Sequence, residues 1–329
     1  MRRSSSVLAL TLVLGAGAVA AGCGSGGGSG TAAAPPQPAP TAAVEDFPKA
    51  AGMTLGELRQ RYQEGPIFAP STSLLEPGDN RMGFALYDRA QKQLTGAAVA
   101  LYAARSDGTG LRGPFVARSE SMAVKPQFES RQTAQDPNGP KNLYVSTLHL
   151  PKKGKYVLMG LARLDGRLVS TSANATTVGP PGPHPPQPGE KATMIHTLTP
   201  ADVGGDLAKI DTRVPPAQDL LTTDFADVLG KKPVVLTFAT PQLCQSRVCG
   251  PVVDIVEQAR AAMGDKVAFI HQEVYKDNEV KQGVRPQLAA YHLATEPWTF
   301  VIDRHGVVSS RFEGALSVGE LERAVAKVQ

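Results

Sequence analysis

The stretch that decides the fold is residues 231–263, KKPVVLTFATPQLCQSRVCGPVVDIVEQARAAM. Its apolar run VVLTFA is continuous, which is typical of a strand buried on both faces of a sheet. The residues from Cys249 to about Met263 predict a helix. Cys244 and Cys249 lie where the strand gives way to the helix, with four residues between them. This CxxxxC pair is a redox dithiol, part of a metal site or a structural disulfide.

The segments after this stretch complete an α/β pattern. Residues 266–274, KVAFIHQEV, predict a second buried strand, and EPWTFVID with GVVSSRFEG predicts a hairpin of two further strands. The last segment, SVGELERAVAKV, predicts an amphipathic helix that is capped by Ser317, because Glu320 three residues later completes a capping box. The predicted order in residues 193–329 is therefore βαβ followed by ββα.

This order and its motifs resemble the thioredoxin fold, most closely the membrane-tethered TlpA/ResA type and the peroxiredoxin relatives. DFADVLGKKPVVLTFAT resembles the lead-in to the family's first central strand, and FEGALSVGEL resembles its closing glycine and helix. Pro251 lies where the family's first helix carries a proline. EPWTFVIDRHGVV resembles the stretch in which a cis-proline precedes a strand, and Pro297 takes that place. The resemblance covers about residues 189–328.

The resemblance implies a thiol–disulfide oxidoreductase that acts on protein disulfides and needs no cofactor or metal. Cys244 is the implied nucleophile, because a helix N-terminus stabilises a thiolate. Cys249 is the implied resolving thiol. Pro297 completes the implied catalytic set, since the family's cis-proline leaves a backbone edge free to pair with the substrate beside the sulfur.

Three neighbouring residues are candidate substrate-binding residues, namely Glu296, Trp298 and Arg247. Arg247 adds positive potential between the cysteines, whereas a negative Glu296 opposes thiolate formation. The chain also departs from the family's pattern. Its cysteine spacing is wider than CxxC, Leu243 stands in place of the usual tryptophan, and Thr237 stands where thioredoxins carry a buried acid. These departures indicate that exchange is specialised or lost.

Two other functions stay open on the sequence. Sco-type copper chaperones share this fold and bind copper through a CxxxC pair and a distant histidine, and thiolates suit Cu(I). His271 and His292 are the candidate histidines for such a site. The other function is that of a non-enzymatic surface lipoprotein, in which the Cys244–Cys249 pair is a structural disulfide. Zinc is not expected, because no spaced histidine pair accompanies the two cysteines.

Residues 65–178 carry β signals throughout. In RMGFALY the alternate residues Met82, Phe84 and Leu86 share one face, and LYVSTLHL and KYVLMGLA predict further strands. Several short strands with no helical stretch between them favour an antiparallel sandwich, and the segment resembles the immunoglobulin-like modules of exported bacterial proteins. A short helix is expected within residues 46–64, with Thr54 as its candidate N-cap because Glu57 follows three residues later. The proline-dense residues 179–192 predict a stiff linker.

The N-terminus predicts export. Arg2 and Arg3 precede an apolar run that is too short for a membrane span, so residues 1–22 are interpreted as a signal peptide. The tetrad AAGC that ends at Cys23 resembles a bacterial lipobox, which makes Cys23 the predicted lipidation site. Residues 23–45, rich in Gly, Ser, Pro and Ala, predict a disordered tether. The expected location is the extracytoplasmic face of the cell membrane.

The net charge and the length of the chain limit the expected partners and the number of hydrophobic cores. The formal net charge of +4 falls to +2 when Arg2 and Arg3 leave with the signal peptide, and no basic stripe is present. Nucleic acid is therefore not an expected partner. The expected partners are the lipid membrane, through acylated Cys23, and protein thiols or disulfides. A chain of 329 residues with 42% hydrophobic content can bury two cores.

Overall fold

The structure of the chain, a computed structural model, describes residues 42–329. The predicted signal peptide, the lipidation site Cys23 and almost all of the predicted tether lie outside the described residues. Within residues 42–329, no helix is both long enough and apolar enough to cross a lipid bilayer. The described residues include a β-rich region (residues 65–178) and an α/β region (residues 193–329), and these boundaries stay predictions.

A short helix, α1 (Leu55–Gln60), precedes the β-rich region. Thr54 caps it as expected, because the Thr54 hydroxyl accepts a hydrogen bond from the Glu57 amide at 3.3 Å. The Glu57 carboxylate accepts one in return from the Thr54 amide at 2.8 Å. Leu55 and Leu58 of α1 are buried against Tyr102 and Met159, which belong to the strands described next.

The β-rich region contains two antiparallel sheets and the short helix α2 (Arg131–Gln135). Its strands, in chain order, are β1 (Ile67–Pro70), β2 (Gly78–Tyr87), β3 (Gln93–Leu94), β4 (Ala98–Arg105), β5 (Arg112–Val116), β6 (Arg118–Ser121), β7 (Asn142–Leu150), β8 (Gly154–Leu164), β9 (Arg167–Ser170) and β10 (Asn174–Val178). One sheet has the order β1-β2-β7-β6, with β3 paired to β2. The other has the order β10-β8-β4-β5, with β9 paired to β8.

The two sheets share one hydrophobic core. Met82, Phe84 and Leu86 of β2 all lie in it, since alternate residues of a strand point to one face. Leu101 of β4 and Leu158 of β8 enter the same core from the other sheet. This face-to-face packing is the arrangement of a β-sandwich. The immunoglobulin-like class of the region stays a prediction.

The α/β region is built on a four-stranded sheet. Its elements are α3 (Phe225–Val228), β11 (Val234–Ala239), α4 (Cys249–Met263), β12 (Ala268–Glu273), α5 (Pro286–Ala290), β13 (Trp298–Ile302), β14 (Val308–Glu313) and α6 (Val318–Val325). The sheet order is β12-β11-β13-β14. Strand β11 pairs parallel with β12 and antiparallel with β13, which pairs antiparallel with β14. This is the predicted βαβ and ββα order, and the arrangement is thioredoxin-like.

The central strand β11 explains why its sequence is continuously apolar. Leu236 and Phe238 point to one side of the sheet, where they pack in a core with Phe300 of β13. Val235 and Ala239 point to the other side, where α4 and α6 cover them. A strand with helices or side chains on both faces has no solvent-facing positions, so all six residues of β11 are buried.

The two regions contact each other through charged side chains. The Arg81 guanidinium of β2 donates two hydrogen bonds to the Glu320 carboxylate of α6, both at 2.8 Å. The carbonyl of Ser71 also approaches Gly314 so closely that any side chain at 314 would collide with it, and Gly314 has a φ of 72°. Residues of the predicted linker lie alongside β14, because the Gly189 amide donates a hydrogen bond to the Val308 carbonyl at 2.8 Å.

Candidate functional site

The cysteine loop connects the end of β11 to the start of α4. Strand β11 ends at Ala239, and the amide of Cys244 donates back to the carbonyl of Thr240 at 3.1 Å, which closes a turn. Arg247 has a positive φ of 60°, so the chain reverses direction just before the helix. Helix α4 then begins at Cys249. Cys244 therefore precedes the helix, and Cys249 is its first residue.

The two cysteines are free thiols in different surroundings. Cys244 is half-buried, whereas Cys249 is completely buried in the core between the sheet and α4. The Cys249 thiol donates a hydrogen bond to the Cys244 sulfur, and the Cys249 amide at the start of α4 donates another. The Ser246 hydroxyl lies 3.2 Å from the same sulfur. The donors therefore converge on the Cys244 sulfur, whereas the Cys249 sulfur is enclosed in the core.

This arrangement separates the pKa values of the thiols in opposite directions. The hydrogen bond from the Cys249 thiol is the main reason why the pKa of Cys244 falls from 9.0 to about 6, against the effect of burial. Ser246 and the Cys249 amide lower the pKa of Cys244 further, and Glu296 raises it. Burial, followed by the donation to Cys244, raises the pKa of Cys249 well above its usual value. Cys244 is therefore the thiolate near neutral pH.

The loop before β13 brings Glu296 close to the sulfurs. The Glu296–Pro297 peptide bond is cis. Burial raises the pKa of Glu296, which is half-buried, and its charge acts on both Cys244 and Cys249. The Pro297 carbonyl accepts a hydrogen bond from the Gly314 amide at 2.8 Å. Glu296 thus has the electrostatic effect that the sequence predicts for it.

Trp298 is not brought to the thiols. Its side chain is 3% exposed and packs in the core that Phe238 and Phe300 occupy, with the rings of Trp298 and Phe300 stacked 5.8 Å apart. The cysteines belong to the core on the opposite side of the sheet. The physical reason is strand alternation, because Trp298 and Phe300 are two residues apart and share a face. The Trp298 side chain therefore lies in the core, and the role of Trp298 in substrate binding stays a prediction.

Arg247 lies at the rim of the site. Its guanidinium is 3.3 Å from the Asp136 carboxylate, and its side chain is 55% exposed. Asp136 directly follows α2 in the β-rich region. The candidate substrate-binding residue Arg247 thus joins the cysteine loop to the β-rich region.

The sequence reasoning missed a buried ion pair under α4. Asp254, about one and a half turns after Cys249, accepts a hydrogen bond from the Arg213 guanidinium at 2.8 Å, and both side chains are almost completely buried. Ser130, which caps α2, donates both its amide and its hydroxyl to Asp254 at 3.1 Å. The available signal was an acid inside the apolar stretch CGPVVDIV, since a buried charge requires a partner.

A second missed feature is a group of metal-type side chains. Within residues 42–329, the His, Cys, Asp and Glu side chains that lie within reach of a shared ion are Asp211, His271 and Glu273, all buried. His271 Nε2 faces the Ala239 carbonyl at 3.1 Å, and the two carboxylates already accept backbone amide hydrogen bonds. This group contains neither cysteine. His292 is exposed, and copper binding at the thiols stays a prediction.

No protein-family model matches the chain, and no curated protein matches it. One solved structure, a thiol:disulfide interchange protein of the thioredoxin family from Chlorobium tepidum TLS, is 18% identical over 46% of this chain and 99% of that chain. Its TM-score is 0.29, so the likeness carries no argument about function. The thioredoxin-like description rests on the strand order.

Proposed function

We propose that the chain is a thiol–disulfide oxidoreductase in which Cys244 is the nucleophile and Cys249 the resolving thiol. The observation that carries this proposal is the opposite environment of the two sulfurs. One is accessible and has its pKa lowered to about 6, and the other is enclosed and has its pKa raised. A structural disulfide needs no such difference, whereas an exchange reaction needs one reactive and one protected thiol.

The reaction follows from these environments. The Cys244 thiolate attacks one sulfur of a substrate disulfide, forms a mixed disulfide with it and releases the other substrate sulfur as a thiolate. Cys249 then attacks Cys244 Sγ, which forms the Cys244–Cys249 disulfide and releases the second substrate thiolate. The Cys249 proton leaves with a departing substrate thiolate, which becomes a thiol. The substrate gains two electrons, and the protein loses two. With an oxidised chain and a dithiol partner the same steps run in reverse.

The lowered pKa of Cys244 favours the first step, the attack on the substrate disulfide, because it increases the thiolate fraction of Cys244 at neutral pH. The hydrogen bonds from Cys249 and Ser246 stabilise the Cys244 thiolate in the resting state and are relinquished when Cys244 enters a mixed disulfide. Because Cys249 is buried, external oxidants do not reach its thiol, and it reacts with the neighbouring Cys244 sulfur. Glu296 acts against the thiolate and thereby limits the fall of the pKa of Cys244.

The wider setting of this activity is also a proposal. Export through a signal peptide, a lipid anchor on Cys23 and a tether at residues 23–45 would place the thiols at the extracytoplasmic face of the cell membrane. That compartment supports disulfide chemistry. The β-rich region would be an immunoglobulin-like module beside the thioredoxin-like region. The partners would be the membrane and protein thiols or disulfides, with no cofactor.

The reduction potential of the Cys244–Cys249 pair tests the proposal. The protein is equilibrated in graded thiol buffers, free thiols are alkylated, and the two forms are counted by mass spectrometry. A potential between about −270 and −120 mV, where exchange enzymes lie, is the expected result. A potential below about −300 mV would make the pair a structural disulfide. The Cys249→Ser variant, in which no such disulfide can form, is the control for the assignment.

A further inference from the structure

Two cavities flank the cysteine loop, and the β-rich region supplies much of both. The first, named here the apolar chamber, has a volume of about 460 Å³, and its wall includes Met82, Phe84, Leu143 and Leu158. The second, named here the polar cleft, has a volume of about 670 Å³, and its wall includes Glu129, Asp136, Lys141, Arg247 and Cys244. Both volumes lie in the range of ligand-binding sites.

The reactive sulfur lies where the two cavities meet. Cys244 is in the wall of the polar cleft, and Ser246, whose hydroxyl is 3.2 Å from the Cys244 sulfur, is in the wall of the apolar chamber. Met122 and Pro140 line both cavities. A ligand that extends from the apolar chamber into the polar cleft would therefore have Cys244 within its reach.

The walls restrict what can reach the sulfur. Residues 69–73 and 174–176 stand on the chamber side, and residues 122–124 with 132–141 stand on the cleft side. These walls are held in place, because Ser130 binds Asp254 under α4 and the Lys125 amide donates to Gln258 at 2.6 Å. A flat surface of a folded protein cannot enter between two such walls. An extended segment of polypeptide can.

We propose that the apolar chamber receives a large apolar side chain next to the substrate's cysteine, while the substrate chain continues into the polar cleft. This inference rests on the proposed function and adds to it the substrate class, an extended polypeptide with an apolar residue beside its disulfide sulfur. The chamber floor is made of core side chains, since Met82, Phe84 and Leu158 are each at most 1% exposed. Removing an apolar side chain from water at this floor is favourable.

The polar groups of the chamber agree with this substrate. The Glu313 carboxylate is already engaged, because it accepts hydrogen bonds from the amides of Ser73 and Leu74 and from the Thr295 hydroxyl at 2.8–2.9 Å. Glu296 presents a half-buried acid at the mouth. An acidic residue of the substrate is therefore disfavoured there. The Ser71 hydroxyl, also in the wall, is buried and has no hydrogen-bond partner among residues 42–329, and a peptide group of the substrate would supply one.

The test measures how fast Cys244 of the Cys249→Ser protein forms mixed disulfides with two peptides. Each peptide carries one cysteine activated as a mixed disulfide with a chromophoric aryl thiol, and both have the same length and charge. One has glycine on both sides of the cysteine, and the other has phenylalanine. Release of the aryl thiol reports the rate. We expect the phenylalanine peptide to react at least about tenfold faster.

Substitutions in β10 test whether the preference for the phenylalanine peptide arises in the apolar chamber. Ala175 lines the chamber and is exposed, so Ala175→Trp fills the mouth without disturbing the core. Thr177→Trp is the matched control, because Thr177 is also exposed and lies two residues further along β10, outside the chamber lining. Ala175→Trp should bring the two peptides to within about twofold of each other, and Thr177→Trp should leave the preference intact.

Other results would overturn the inference in distinguishable ways. Equal rates for the two peptides, or a preference for the phenylalanine peptide that survives Ala175→Trp, would show that the apolar chamber does not recognise an apolar side chain of the substrate. If the free aryl disulfide reacts rapidly with Cys244 but neither peptide does, the substrate is a small disulfide and the polypeptide class is wrong. If the aryl disulfide itself fails to react with Cys244 near neutral pH, the proposed function fails, and this inference fails with it.

Discussion

The β-rich and α/β regions meet in two zones of opposite character. The first, the ion cluster, consists of Arg81, Arg118, Glu120, Glu320 and Arg323, whose carboxylates are 4% exposed and whose guanidiniums are at most 20% exposed. The second, the thiol zone, consists of the cysteine loop with the apolar chamber and the polar cleft. One zone is filled with paired charges, and the other is left open beside a reactive sulfur.

The two zones differ in how exposed their charged pairs are. In the ion cluster, Glu120 accepts from Arg323 at 2.7 Å and from the Ser317 hydroxyl at 2.7 Å, so α6 is fastened to β6 through its own cap. In the thiol zone, Ser130 and the Lys125 amide bind α4, and the charged pair at the rim is the exposed one of Arg247 and Asp136. Buried charges tolerate little rearrangement, whereas exposed pairs break easily. The open zone is therefore the one suited to admit a substrate.

The largest expected effect is at the thiol zone. Cys244→Ser should reduce the rate of disulfide reduction about 10³-fold or more, because a serine hydroxyl is not ionised near neutral pH and forms no mixed disulfide. The measurement is turnover of a model disulfide with a dithiol as the electron source. Cys249→Ser is the comparison, since it should still form the mixed disulfide once. Turnover that survives Cys244→Ser would move the chemistry away from this loop.

The next effect is on stability and belongs to the ion cluster. Glu320→Ala leaves the Arg81 and Arg118 guanidiniums without their shared carboxylate, and we expect a loss of about 3–5 kcal/mol in the free energy of unfolding. Urea unfolding followed by circular dichroism measures it. Glu322→Ala, on the same helix but outside the ion cluster, should change that free energy by less than about 0.5 kcal/mol. Equal effects of the two variants would contradict the distinction between the zones.

The same carboxylate predicts a pH dependence. Burial alone would raise the pKa of Glu320, but Arg81 and Arg118 outweigh it, so the pKa is lowered from 4.5. A group whose folded-state pKa is lowered contributes stability above its unfolded-state pKa and loses it as the pH falls through the folded-state pKa. The wild-type protein should therefore lose this contribution below about pH 4.5, and Glu320→Ala should not. Parallel acid titrations of both proteins would decide it.

A smaller effect sharpens the account of the Cys244 thiolate. Cys249→Ala removes the main hydrogen-bond donor to the Cys244 sulfur, so the pKa of Cys244 should rise from about 6 by about one to two units. The pH profile of alkylation by iodoacetamide reports this pKa. Cys249→Ser keeps a hydroxyl donor at the same position and should produce a smaller rise. If the two variants have the same profile, the lowered pKa arises elsewhere in the loop.

The smallest effect is expected at the rim of the thiol zone. Asp136→Asn breaks the exposed pair with Arg247, and the free energy of unfolding should fall by less than about 1 kcal/mol, with the difference shrinking as salt is added. Urea unfolding at low and high salt measures this. A loss as large as that of Glu320→Ala would contradict the small contribution expected of an exposed ion pair.

Local patterns predicted the parts of the molecule that depend on neighbouring residues. The caps at Thr54 and Ser317 and the shared face of Met82, Phe84 and Leu86 could be read from spacing. The start of α4 at Cys249 could be read in the same way. For Trp298, the position beside Pro297 did not reveal which face of β13 its side chain would occupy. The position of a residue along the chain does not by itself fix which face of the sheet its side chain occupies.

The sequence by itself determined the chemical candidates, two cysteines between a buried strand and a helix, and the order of elements that carries them. Only the tertiary structure decided how those cysteines differ. The pKa of Cys244 depends on donors from the Cys249 thiol, the Ser246 hydroxyl and a helix amide that converge on one sulfur. The walls around that sulfur come from residues 69–73, 122–124, 132–141 and 174–176, far away in the chain. Spacing predicts contacts along a helix or strand, whereas burial, solvent access and electrostatics depend on segments that only folding brings together.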